Sequence, residues 1–219
     1  MSLSGLSKTL LMAVLLAASS LALAQRNINF DLLRAARDGS EASVQALLDQ
    51  GANPNSRNRL GDTPLNIAAK NGKAGLARLM IERGANVNLQ NLSGVSPLMS
   101  AAFYGHTEIV RMLLAAKANP ALTDRVKKTA AVYAAGDGRT DCLVELLGAG
   151  ADINARYDND LTALMWAAAY GHADTTRMLL ERGADTNLRD TRGKSALSMA
   201  SEGGHRDVVE MLRVAGAKE

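Results

Sequence analysis

Cysteine is almost missing from this chain: Cys142 stands alone, so no internal disulfide can brace the fold. Small exported domains that bury little core lean on such staples; this one must hold together by burial of apolar surface. Aromatic residues are also scarce, at 3% of 219 residues. Large rings therefore cannot fill the interior, and the abundant Ala and Leu suit short helices packed closely. Charge of one sign is lacking too, since 25 Lys and Arg face 22 Asp and Glu without a basic run. That balance argues against a nucleic-acid surface, which works by neutralising phosphates. Beyond residue 24 no stretch is apolar enough to span a bilayer.

The N-terminus is of a different kind. Met1 to Leu10 carries one cation, Lys8, and no acid; Leu10 to Leu23 is nearly all Leu, Ala, Met and Val, and Ala22-Leu23-Ala24 precedes Gln25. A basic start, a short apolar core and an A-x-A end read as a secretory signal peptide over 1–24, cleaved after Ala24. An anchoring helix is the alternative. The run is short against the ~20 apolar residues a spanning helix needs, and Ser19 and Ser20 interrupt it. The Ala-rich segment predicts a periplasmic protein, with secretion beyond the envelope as the alternative.

From Gln25 onward the chain repeats itself at 33-residue steps. Gly61-Asp62-Thr63-Pro64-Leu65 returns as Gly94-Val95-Ser96-Pro97-Leu98, Lys127-Lys128-Thr129-Ala130-Ala131, Asp160-Leu161-Thr162-Ala163-Leu164 and Gly193-Lys194-Ser195-Ala196-Leu197. Ala-Ala pairs recur in register from Ala35-Ala36 to Ala167-Ala168, and Gly39, Gly72, Gly105, Gly138, Gly171 and Gly204 keep step. A fixed period of this size signals a stacked array. The units are 25–57, 58–90, 91–123, 124–156, 157–189 and 190–219.

Within the unit from Asn58 to Gln90, residues 58–62 carry turn chemistry. Thr63 is placed to cap a helix that opens on Pro64, with Leu65, Ala68 and Ala69 on one stripe and a stop near Gly72. A second helix carries Leu76, Leu79, Met80 and Ile81 and stops at Gly84. Helix, turn, helix and finger, with the Thr-Pro-Leu start, Gly105-His106, Gly171-His172, Gly204-His205 and ends such as Gly84-Ala85-Asn86-Val87-Asn88, resemble the ankyrin repeat over 25–219. The expected fold is an all-α repeat solenoid of six stacked helix-turn-helix units with β-hairpin-like fingers.

Departures from the family pattern carry their own expectations. Its usual His after Thr-Pro-Leu is replaced by Asn66, Met99, Val132, Met165 and Ser198, so the hydrogen-bonded chain between turns should be absent or rewired. Lys117 stands in a slot otherwise held by Gly51, Gly84, Gly150, Gly183 and Gly216; left-handed geometry there would cost about 1 kcal/mol. Arg34 in the first unit and Arg213 in the last replace apolar residues, as polar caps would, which predicts that six units make up the whole array.

Reaction chemistry finds no foothold. His106, His172 and His205 occupy equivalent places in different units, roughly 10 Å or more apart if adjacent helices pack normally, whereas nitrogens sharing a zinc each lie about 2 Å from it. The acids Asp152, Asp158 and Asp160 do not follow a calcium-loop spacing. Cys142 takes an apolar slot and is expected to pack rather than react. Asn91-Leu92-Ser93 is a weak glycosylation match. No cofactor and no metal is expected, and no enzyme activity.

What the resemblance implies is binding. The family uses a concave face made of finger tips and the exposed ends of first helices. Those positions give Leu92, Val95, Phe103 and Tyr104 in the third unit, Arg125, Lys128 and Asp137 in the fourth, and Tyr170 in the fifth. Exposed aromatics beside charge are what interface hot spots look like, although Phe103 and Tyr104 could instead pack on neighbouring fingers. Tyr133 and Trp166 occupy an inward slot and are expected in the core. The expectation is a non-enzymatic, monomeric module holding an unidentified protein partner. A secreted factor engaging host proteins and an accessory or inhibitor of one periplasmic enzyme are the alternatives.

Overall fold

A computed structural model describes residue 25 and residues 27–218 of the chain. The expected signal segment lies outside these residues. Helices follow one another in pairs: α1 (27–38) with α2 (Glu41–Asp49), α3 (Pro64–Asn71) with α4 (Ala74–Glu82), and α5 (Pro97–Tyr104) with α6 (Thr107–Ala115). Then come α7 (Ala130–Gly136) with α8 (Thr140–Gly148), α9 (Ala163–Ala169) with α10 (Ala173–Glu181), and α11 (Ala196–Glu202) with α12 (Arg206–Val214). First helices pack on first helices, α3 on α5, α5 on α7, α7 on α9 and α9 on α11; second helices form a parallel layer from α2 to α12. Each pair thus touches chiefly its neighbours.

Local chemistry explains the ends. Thr63, Ser96, Thr129, Thr162 and Ser195 each accept the N–H three residues on, capping α3, α5, α7, α9 and α11. The helices are so short that only burial keeps them formed. Between the two layers runs one apolar core: the Ala-Ala pairs let first helices approach, and Leu76, Met80, Ile109, Leu113, Leu143, Leu146 and Leu179 fill the space beneath. Truncating a residue such as Leu143, which is fully buried, costs about 2–5 kcal/mol. Cys142 is buried among them, its thiol in hydrogen-bond reach of Thr107 at 3.3 Å. Burial pushes that thiol's pKa up, against a smaller opposite pull from Thr107, which leaves it a poor nucleophile.

Among the described residues the fingers form no β-strand. Each is instead a turn closed by two backbone bonds, as from Asn58 N–H to Asp62 O and from Gly61 N–H to Asn58 O, a pattern repeated from Asn91, Asp124 and Asp190. The first side chain of the turn does the rest: Asn58, Asn91, Asp124 and Asp190 each accept two N–H groups from their own finger. Asn91 also donates to Asp62 of the preceding finger, so its amide is engaged between fingers rather than offered for modification. Tyr157 holds the same position in the fifth finger and cannot do this; there a 3₁₀ turn, Asp158–Asp160, puts Asn159 and Asp160 at φ 59° and 58°.

Ties between pairs are rewired, and at one place a substitute is visible. Asn66 reaches the Val95 carbonyl of the next finger at 3.4 Å, whereas Met99 merely accepts within its own cap. Elsewhere the work passes to asparagines and histidines. Asn55 accepts the N–H of Asn86, Asn88 that of Asn119, Asn154 that of Asp185 and Asn187 that of Lys218. The ring Nε2 of His106, His172 and His205 donates to the carbonyls of Lys70, Gly136 and Ala169 at the end of the preceding first helix, and Arg139 does the same to Phe103. A side chain on Gly72 would meet the His106 ring at 2.6 Å. Lys117 does hold a left-handed φ of 67°, and Lys127, in a slot held by glycine in three other fingers, joins it at 58°.

Candidate functional site

Two hollows lie along one side of the stack, between the fingers and the exposed ends of the first helices. The first, about 660 Å³, has walls from the fingers (Leu60, Asp62, Leu92, Val95) and from α3, α5 and α7 (Ile67, Lys70, Met99, Phe103, Tyr104, Tyr133), with Arg37 at its rim. The second, about 370 Å³, is lined by Leu161, Trp166, Tyr170, Arg192, Lys194 and Glu202. Lys128 joins them: its Nζ lies 4.2 Å from the Trp166 ring centroid and 5.7 Å from that of Tyr133. A cation so placed is attracted by the ring faces.

Of the expected contact residues, Leu92, Val95, Phe103 and Tyr104 come together in the first hollow, and Tyr170 enters the second. Lys128 sits between. Arg125 and Asp137 line neither: the Arg125 side chain stands out on its finger tip while its N–H bonds to Ser93 O, and Asp137 caps the end of α7. Phe103 is half-buried and Tyr104 is 42% exposed. Their rings meet edge-on at 4.8 Å, and Phe103 meets Tyr133 edge-on at 5.6 Å. Such pairs hold one another in place.

Tyr133 and Trp166 correct the expectation that they belong to the core. Both are half-buried and turn a face to the hollows. The same slot swallows Ile67 and Met199 almost completely; a ring is too large for it and its outer part emerges on the groove. Tyr133 donates its hydroxyl to Asp124 at 2.5 Å. Burial first, and that bond second, push its pKa far above the ordinary tyrosine range. Trp166 stacks on Tyr170 at 5.8 Å. Its indole N–H is one of two buried side-chain polar groups without a partner among the described residues. With Tyr133 and Trp166 included, five of the chain's two Phe, four Tyr and one Trp gather on this side. In a protein so poor in aromatics, that is concentration rather than scatter.

The histidine Nε2 atoms face backbone carbonyls, so each carries the proton and has no lone pair there for a metal. Among the described residues no group of three His, Cys, Asp or Glu is placed to hold a metal ion, and no helix is long and apolar enough to cross a membrane. What the wall offers is rings, aliphatic finger tips (Leu60 67% exposed, Leu92 53%) and cations.

A family profile described as ankyrin repeats (3 copies) matches residues 32–124 and again 126–218. A search of the curated proteins returns no match. With nearly all of the paired-helix region covered, the chain belongs to the ankyrin-repeat family.

Proposed function

We propose that this chain is a six-unit, non-enzymatic binding module that acts in the periplasm as a monomer and holds a protein partner along the side where its hollows lie. Ankyrin repeats are in general protein–protein interaction modules. The observation that carries the reading here is the gathering of Phe103, Tyr104, Tyr133, Trp166 and Tyr170 beside exposed Leu60 and Leu92 on one wall. Rings anchored edge-on and open to solvent offer large contact area at little further entropy cost. The turn fingers take the place that β-hairpin-like fingers have in the family pattern.

Changing Phe103 and Tyr104 together to Ala tests the surface. The double variant should keep its helical circular dichroism and lose capture of partners from an envelope extract. Unfolding of the variant, or undiminished capture, would remove this wall as the site. Export rests on the basic, apolar and A-x-A pattern of residues 1–24. Protein recovered from the periplasm should begin at Gln25; an intact Met1 on a cytoplasmic product would refute it.

A further inference from the structure

We propose that the groove is built for an extended acidic segment of a protein, one that alternates carboxylates with apolar side chains and seats a carboxylate on Lys128. The proposal deepens the binding reading above and rests on it.

Its basis is charge without local compensation. Lys128 has no carboxylate within ion-pair distance among the described residues, and its Nζ is held by ring faces alone. Arg37 and Lys70 line the first hollow and are likewise without an ion pair. Of the acids on the same wall, Glu202 is paired with Lys194 and Asp190 with Arg192; Asp62, bonded to the neutral amides of Asn58 and Asn91, and Asp124, bonded to the Tyr133 hydroxyl, keep their charge. Asp137 adds a negative charge near Tyr133 but lines neither hollow. Among the residues that line the hollows, together with Lys128, five cations (Arg37, Lys70, Lys128, Arg192, Lys194) stand against two carboxylates (Asp62, Glu202), and an approaching chain of like sign would meet repulsion.

Geometry sets the pattern of the ligand. Rings and aliphatic finger tips stand on both sides of Lys128: Phe103, Leu92 and Val95 toward one hollow, Trp166 and Tyr170 toward the other. A ligand that leaves Lys128 unpaired would bury an ammonium without a counter-charge, which is costly. A carboxylate there, with apolar side chains entering the hollows before and after it, satisfies both.

Trp166 is the only tryptophan of the chain, so its emission reports this spot alone. Random 16-residue peptides displayed on phage would be panned on the protein, and the most enriched one synthesised. Glu- and Asp-rich sequences interleaved with apolar residues should emerge, and the synthetic peptide should change Trp166 fluorescence. Lys128→Gln, checked for unchanged helicity, should weaken it about tenfold, and 0.5 M salt should weaken it as well. Neutral or basic winners that still require Phe103 and Tyr104 would overturn the acidic proposal and leave the binding wall standing. Winners indifferent to Lys128, Phe103 and Tyr104 and silent in Trp166 emission would overturn both. Tighter binding of single-stranded RNA or anionic vesicles than of the selected peptide, at the same fluorescence, would overturn the protein-segment assignment.

Discussion

Asp190 has no side-chain surface in contact with water, yet it carries its charge comfortably. Burial opposes that charge and is the largest single influence; the N–H groups of Lys194 and Arg192 and the Arg192 guanidinium together outweigh it and hold the carboxyl below its usual pKa. The sign follows. Unfolding releases the carboxyl to its ordinary value near 3.9, so as pH falls the unfolded chain takes up the proton first and stability drops. Asp190→Asn keeps a turn acceptor but loses the charge. Its urea stability should fall short of the parent above about pH 4, and the gap should close as pH falls through the native value; a gap constant from pH 7 to 2 would contradict this. Residues also mark where sequence reading fell short. Tyr133 and Trp166 share a slot with Ile67 and Met199, and register alone assigned them inward. Ring size decided otherwise, and size against available space is a property of the packed neighbours, not of the repeat. Lys128 was legible as a finger residue, but its seat on Trp166, 38 residues away in sequence, was not.

At the level of helices and fingers, most of the architecture was legible because every unit states it again. Caps at Thr63, Ser96 and Ser195, stops at Gly72 and Gly105 and the two-layer stack all follow from residues in fixed register. The fingers were harder. Their closure depends on Asn or Asp at the turn start, and Tyr157 interrupts that in one finger, a local hydrogen-bond matter that hydrophobic periodicity does not report. The asparagine ties show the same thing between neighbours. Ala121 occupies the position of Asn55, Asn88, Asn154 and Asn187, and so the N–H of Asp152 lacks the acceptor given to Asn86, Asn119, Asp185 and Lys218. That N–H should exchange with deuterium well ahead of Asn86, Asn119 and Asp185. Ala121→Asn should restore its protection and add about 0.5–1.5 kcal/mol of stability. Equal protection in the parent protein would mean that the ladder contributes nothing.

Across the whole molecule, a stack in which each pair touches only its neighbours is as strong as its junctions. Most are held by a side-chain tie at each end: at α9 to α11, for example, His205 to Ala169 O on one side and Asn187 to Lys218 on the other. The junction from α5 and α6 to α7 and α8 is different. It keeps the Arg139 bond to Phe103, the Thr107–Cys142 contact, the Arg125 N–H bond to Ser93 O and the exposed pair Arg111–Glu145, the last worth little in water. It lacks the asparagine tie, and Lys117 and Lys127 hold left-handed backbone on either side of it. Two such residues and one missing bond amount to roughly 3 kcal/mol against an unstrained junction. Trp166 reports only the later half of the stack, whereas far-ultraviolet circular dichroism averages all helices. In urea the two transitions should therefore part, with the parent splitting at this junction before either half is lost. Combining Ala121→Asn with Lys117→Gly and Lys127→Gly should bring the curves together at a higher midpoint. Coincident curves in the parent would show that the apolar core shared across α5 and α7 outweighs the strain and couples the halves into one cooperative unit.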